Sequence, residues 1–224
     1  MCGRYSFQLS ESEVSDLTGS APSPFPEATY NQSPGVPIVV LDSDRQWDPM
    51  PWGAEIRIGP ARKRLVINAR SETAAGKRVF REAFARRRCV LPASGFFEWR
   101  RDGGRGQPFY FHPRTGPGIL LGGMVLEEKD TAERRVVVLT RAADRWMEEI
   151  HHRAPILVRP DRIERWFDSA LDGEAGVRAA AYPDEAGVLD RYPVSERVNR
   201  VAENDPGILT RVEWSPPPTQ EELF

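Results

Sequence analysis

Apolar residues fall in short runs of four to eleven along most of this chain, bounded by Gly, Pro, Asp and Ser, and such runs predict strands. They lie at residues 36–41, 64–69, 89–99, 108–112, 119–126, 135–140, 156–159 and 192–198. Two of the joins read as hairpins: the Asp102-Gly103-Gly104 break before Pro108, and the polar stretch 127–134 between two apolar runs. Helical periodicity appears in fewer places. Residues 10–18 begin with Ser10 and Glu13 at capping-box spacing. Residues 71–87 place Val79, Phe80, Ala83 and Phe84 on one face, residues 142–151 do the same with Ala143, Trp146, Met147 and Ile150, and 161–170 is a third such segment. Many short antiparallel strands with a few flanking helices predict one α+β domain whose sheet is strongly curved or barrel-like. Its expected extent is residues 1–214, and the proline-led tail 215–224 is expected to be poorly ordered.

Composition narrows the class without choosing a function. At 224 residues, 40% hydrophobic and 29% charged, the chain suits one globular domain, and no apolar run approaches the roughly 20 residues of a membrane span. The amino terminus reaches Ser10-Glu11-Ser12-Glu13 where a secretory signal needs an apolar core, so the expected location is the cytoplasm. Two cysteines and three histidines offer no disulfide framework and no metal-ligand spacing, and no cofactor is expected. Cys89, beside Val90 and Leu91, reads as a core thiol. The net charge of −2 conceals an uneven distribution: residues 57–105 hold 14 Lys or Arg against 4 Asp or Glu, a local +10 against −12 elsewhere. A basic centre in an acidic chain points to an anionic partner, although many arginines simply face solvent.

Candidate chemistry begins at the second residue. Removal of Met1 leaves Cys2 as a terminus with an α-amine and a thiol on adjacent carbons, whose reference pKa values of about 7.7–8.0 and about 8.5 lie near neutrality. Such a pair attacks a carbonyl twice: on an aldehyde it gives an imine and then a closed ring, on an amide an acyl-enzyme. Three further polar residues stand out. Asn68 follows the apolar run Leu65-Val66-Ile67 at a strand-to-helix junction, where a sheet presents side chains to a ligand or where an amide merely holds the turn. Glu98 shares a strand face with Phe96, while Phe97 and Trp99 take the other. Aromatic surroundings raise a carboxyl pKa and suit a general acid; the alternative is an edge glutamate that meets water or an arginine. His151 and His152 end a helical segment, and His151, following Met147 and Ile150, is the inward-facing one.

Seven segments then carry a resemblance in order: Met1-Cys2-Gly3-Arg4, Tyr30-Asn31-Gln32-Ser33-Pro34-Gly35, Met50-Pro51-Trp52-Gly53, Ile67-Asn68-Ala69-Arg70-Ser71-Glu72-Thr73, Gly95-Phe96-Phe97-Glu98-Trp99, Ile150-His151-His152-Arg153-Ala154-Pro155 and Pro193-Val194-Ser195. Together they resemble the SOS-response-associated peptidase family, whose members process abasic sites by crosslinking themselves to single-stranded DNA. Ala54 and Ala154 depart from the family pattern at positions that pack the pocket. The resemblance implies that Cys2 condenses with the ring-opened sugar aldehyde to form a thiazolidine, and that Asn68, Glu98 and His151 complete the catalytic set. Glu98 would shuttle protons, His151 would hold a sugar hydroxyl or the 3′ phosphate and, if the imine persists, assist strand scission as a lyase, and Asn68 would orient the amine or the aldehyde oxygen. It also implies that Arg4, Arg70 and Arg153 meet phosphates, that Trp52 and Trp99 offer stacking faces to bases, and that Pro34 belongs to the DNA-contacting surface. The partner implied is single-stranded DNA bearing abasic sites, with no membrane, no metal and a monomer sufficing. The peptidase name implies removal of Met1 by Cys2 itself.

Two other classes share features with this chain. Class II glutamine amidotransferases also begin Cys-Gly, with an apolar residue usually next, whereas here Arg4 follows. A single-strand binding module without chemistry would make Cys2 dispensable.

Overall fold

The computed structural model describes residues 2–57, 62–101, 106–128 and 131–215. In chain order its elements are β1 (Tyr5–Phe7), α1 (Glu11–Thr18), β2 (Thr29–Gln32), β3 (Pro37–Asp42), β4 (Trp47–Pro51), β5 (Ala54–Arg57), β6 (Lys63–Val66), β7 (Asn68–Arg70), α2 (Ser71–Ala74), α3 (Arg81–Arg86), β8 (Arg88–Ala93) and β9 (Gly95–Arg100). There follow β10 (Gln107–Pro113), β11 (Ile119–Glu127), β12 (Arg134–Ala142), α4 (Arg145–Glu148), β13 (Arg153–Pro155), β14 (Leu157–Val158), α5 (Ile163–Phe167), α6 (Gly173–Ala180) and β15 (Leu189–Pro193). Short 3₁₀ turns precede α5 and cross the carboxyl-terminal segment.

Two curved sheets carry the fold. One runs β15-β10-β9-β1-β2; the other follows β13-β12-β11-β8-β3-β4, with β14 paired to β11 and β7 to β12. The second sheet curls far enough that Trp52, just past β4, bridges Val136 of β12, and the Gly53 amide donates to the Val136 carbonyl at 2.8 Å. The strands pair antiparallel except β7 with β12, which run parallel. The α+β reading of the sequence holds, with curvature divided between two sheets rather than closed into one barrel.

What the sequence shows as one strand over 89–99 is two, β8 and β9, in different sheets. The bend at Ser94 is fastened from both sides: its amide donates to the Ser6 carbonyl and its hydroxyl accepts from the Gln8 amide, both at 2.8 Å. Gly95 makes the crossing possible, because a Cβ there would lie 2.3 Å from the Phe111 carbonyl oxygen and 2.5 Å from the Tyr110 ring. Gly95→Ala must push β9 off β10 and is expected to cost about 1–3 kcal/mol or more, read as a lowered midpoint in chemical denaturation; an unchanged midpoint would show that the strands yield freely.

Other expectations shift for similar reasons. Segment 71–87 is two short helices, broken around Gly76, and helices over 142–151 and 161–170 shrink to α4 and to α5 with its leading 3₁₀ turn. Leu65, expected in a buried strand, is 46% exposed on the separate β5–β6 hairpin. The hairpin over 127–134 is present, with Glu127 opposite Arg134; residues 102–105 and 216–224 lie outside the described set, so the Asp102-Gly103-Gly104 join and most of the expected tail do too. The capping box at Ser10 and Glu13 is complete. Cys89 is buried, as read.

The main core joins both sheets, and a smaller cluster forms around Phe97, Tyr110, Val194, Val198 and Ile208 under Trp99. Phe96 belongs to the first cluster and Phe97 to the second, so β9 alternates between two cores, as its sequence predicts. Arg88, counted among the basic centre, is buried, and its guanidinium donates to the carbonyls of Phe84, Ala85, Trp166, Asp168 and Leu171. It holds α3 to α5 and is lost to any surface role. Among the described residues no helix is long and apolar enough to cross a membrane.

Candidate active site

Strand pairing brings the amino terminus to Glu98. In the β1–β9 register Tyr5 faces Phe96 and Ser6 faces Gly95, and the Phe97 amide donates to the Arg4 carbonyl at 3.0 Å. Continuing that register sets Gly3 opposite Glu98, one residue from Cys2. From the second sheet, β7 delivers Asn68, whose Nδ2 donates to the Cys2 carbonyl at 2.7 Å. Its Oδ1 is buried with no hydrogen-bond partner among the described residues, an acceptor left open beside the terminus. The site therefore sits where the two sheets meet, with each sheet contributing part of it.

Electrostatics assign different states to the ionisable groups. Glu98 is 2% exposed, and burial pushes its carboxyl from the usual 4.5 up to about 7. It divides between acid and base at neutral pH. The Cys2 thiol is wholly buried, and burial together with the negative charge of Glu98 raises it well above the ordinary range, against a hydrogen bond from the Arg4 amide. The reference value near neutrality thus does not describe the folded protein. The Glu98 carboxylate is the negative charge that acts on the thiol. His151 is half-buried, and burial lowers its imidazole to about 4, so it is neutral at physiological pH. The Arg153 amide donates to His151 Nδ1 at 3.0 Å. The Arg153 carbonyl lies 3.1 Å from the same nitrogen, so the ring tautomer is set by which of these two backbone groups Nδ1 engages. His152 is exposed and stacks on His151 with centroids 4.5 Å apart.

The residues expected at the phosphates separate into two groups. Arg4 is half-buried, burial lowers its pKa, and its Nε has no hydrogen-bond partner among the described residues. Arg70 is exposed at the end of β7, and Pro34 is half-buried in the turn before β3. Arg153 is different: it is 7% exposed and makes a two-pronged ion pair with Glu72, Nη1 to Oε1 at 2.7 Å and Nη2 to Oε2 at 2.8 Å. Its charge is matched by Glu72, while its Nε is buried with no hydrogen-bond partner among the described residues. Trp52 corrects an expectation. It is fully buried against Tyr5, with its Nε1 donating to the Ile67 carbonyl at 3.0 Å, and presents no face to a base. Trp99 is half-buried, with Nε1 donating to Asn199 Oδ1 at 2.8 Å. It borders an open depression of about 790 Å³ lined also by Arg101, Ser195, Arg197 and Arg200.

One residue escaped the sequence reading. Burial dominates both shifts, raising Glu98 and lowering His151, and the positive charge of the exposed Arg101 opposes the first and adds to the second. No spacing rule marks it among so many arginines. Among the described residues no group of three or more His, Cys, Asp or Glu is gathered to hold a metal ion.

Residues 1–201 match the family described as SOS response associated peptidase (SRAP). The chain is 32% identical over 214 residues to the abasic site processing protein YedK of Escherichia coli K12, covering 90% of this chain and 95% of that one. It is 25% identical over 227 residues to abasic site processing protein YoaM of Bacillus subtilis, covering 93% and 97%. A crystal structure of a protein from Bacteroides thetaiotaomicron superposes with a TM-score of 0.79 at 21% identity, covering 95% of this chain and all of that one.

Proposed function

This chain belongs to the SOS response associated peptidase family, and from that premise we propose that it captures abasic sites in single-stranded DNA through a covalent bond to Cys2. The observation that carries the reading is the contact of Asn68 with the Cys2 carbonyl beside a buried carboxyl that titrates at about 7.

Met1 leaves first, hydrolysed with Cys2 as nucleophile, which frees the Cys2 amine. Protonated Glu98 then donates to the deoxyribose ring oxygen as the bond from C1′ to that oxygen breaks and the aldehyde opens. The amine adds to C1′ and water departs, leaving an imine. The thiol adds across the C=N bond: sulfur bonds to C1′, and the thiol proton passes by way of Glu98 to nitrogen. The product is a five-membered thiazolidine that resists hydrolysis better than the imine. Asn68 fixes the terminus by its amide donor and offers its open oxygen to the amine. Neutral His151 donates from Nε2 to a sugar hydroxyl or the 3′ phosphate, and where the imine persists this contact favours strand scission. Arg4 and Arg70 take flanking phosphates, and Trp99 offers an aromatic edge near them. One terminus per lesion requires only a monomer, working on DNA in the cytoplasm.

Intact mass spectrometry after mixing the Met1-processed protein with an abasic-site oligonucleotide tests this. The expected result is protein plus oligonucleotide less one water; unmodified protein would refute it. Glutamine hydrolysis, the amidotransferase alternative, is expected to yield no ammonia above background. Binding to undamaged single strands is expected to weaken with salt, and Arg70→Ala to reduce the log–log slope by about 0.7, one phosphate. A slope unchanged by the substitution removes Arg70 from the phosphate contacts.

A further inference from the structure

Glu72 is absorbed by none of the chemistry above, yet it holds three hydrogen bonds at one point of the fold. Its Oε1 accepts from Arg153 Nη1 at 2.7 Å and from the Ala142 amide at 2.8 Å, and its Oε2 accepts from Arg153 Nη2 at 2.8 Å. Ala142 and Arg153 face each other in the β12–β13 register. Between them the chain leaves the sheet, forms α4 and returns, closed by a 3.0 Å bond from the His151 amide to the Met147 carbonyl and a 3.1 Å bond from the Ala143 amide to the His152 carbonyl. The carboxylate therefore grips both feet of the excursion that carries His151.

The second half of the linkage runs through Arg153. Its side chain is anchored by Glu72 and lies 3.3 Å from Thr140 Oγ1, while its backbone amide holds His151 Nδ1. The Arg153 carbonyl lies 3.1 Å from the same nitrogen, so a small displacement of this peptide exchanges an amide donor for a carbonyl acceptor at Nδ1. Such an exchange moves the ring proton from Nε2 to Nδ1 and removes the donor assigned to His151 in the proposed function. A buried guanidinium deprived of its counter-ion is driven outward, and its backbone follows.

We propose that Glu72 is a positioning residue that, through Arg153, sets the orientation and the Nε2–H tautomer of His151. The inference rests on the role given to His151 above, and the chemistry of Glu72 itself is confined to holding Arg153 and Ala142. Arg153, tied down this way, serves the histidine rather than the DNA.

The test is Glu72→Gln, with the His151 ring observed by ¹⁵N NMR alongside crosslinking to abasic-site DNA at saturation. The native ring is expected as a single Nε2–H tautomer. The variant is expected to show Nδ1–H or mixed signals and crosslinking slower on the order of tenfold to a hundredfold, while affinity for undamaged single strands does not fall, since Arg153 is released. On a His151→Ala background the same substitution is expected to slow crosslinking no further. Unchanged ring signals in Glu72→Gln overturn the proposal, as do additive losses in the double variant or a parallel fall in affinity. If Glu72→Gln does not fold, the ring of Glu72→Asp decides: its charge is kept but its reach is one methylene shorter, and mixed tautomers are again expected. A shifted ring together with full crosslinking by His151→Ala leaves the positioning intact and removes instead the role given to His151.

Discussion

Cys2→Ala is expected to lose the heat-stable adduct with abasic-site DNA completely. The variant keeps a terminal amine beside Glu98 and Asn68, so it still condenses with an aldehyde, but no sulfur follows to close the ring. An imine alone returns to aldehyde and amine in water, and only borohydride reduction would trap it. Loss of one fully buried sulfur costs stability on the order of 1 kcal/mol, too little to account for a missing activity. Intact mass after heating reads the result. A full yield of heat-stable adduct from Cys2→Ala would refute the thiazolidine and leave at most the amine as nucleophile. A chain made to retain Met1 is expected to behave like the alanine variant for a different reason: its thiol is present but the Cys2 nitrogen is an amide.

Glu98→Gln is expected to move rate and stability in opposite directions. Crosslinking should slow by about 10²–10⁴, because glutamine neither protonates the ring oxygen nor accepts the thiol proton, and any rate inflection near pH 7 should vanish. For stability, the folded carboxyl titrates at about 7 and the unfolded one near its usual 4.5. Between those values the native state binds the extra proton, so Glu98 is harmless below about pH 4.5 and its burial costs progressively more as pH rises through 7. The shift corresponds to at most about 3 kcal/mol at high pH. Glu98→Gln should therefore raise the melting temperature at pH 8 and leave it nearly unchanged at pH 4. Equal melting temperatures for the two proteins at pH 8 would mean that the carboxyl is not buried in charged form, and a wild-type crosslinking rate would make Glu98 structural. A group that destabilises the fold it sits in, and whose removal costs activity, is the pattern of a functional site.

Legibility in the sequence followed the range of the interactions involved. The capping box at Ser10 and Glu13 is local, and it is complete in the structure. The β9 alternation is also local, and Phe96 and Phe97 enter separate cores as their period predicts. The long helices failed because amphipathic spacing does not reveal where a chain must turn: around Gly76 and past Glu148 tertiary contacts override the pattern. The two-sheet division of 89–99 was illegible because it depends on Gly95 lying against Phe111 and Tyr110, more than a dozen residues away.

The same division runs through the site. Residue type alone singled out a terminal Cys-Gly, a glutamate between aromatics and a histidine on the inward side of a pair, and these remain candidates because their chemistry is intrinsic. Distance between side chains, burial and pairing are not intrinsic. Trp52 and Trp99 are the same residue type, yet one is sealed in the core and the other borders an open depression. Arg4, Arg88 and Arg153 carry the same charge, yet one is half-buried, one is satisfied by five carbonyls and one is paired with Glu72. The sequence by itself determined which reactive groups the chain possesses and the local rhythm that builds its strands. Only the tertiary structure decided their protonation and availability, because desolvation and ion pairing depend on neighbours that β-pairing brings from 66 positions away, as between Cys2 and Asn68.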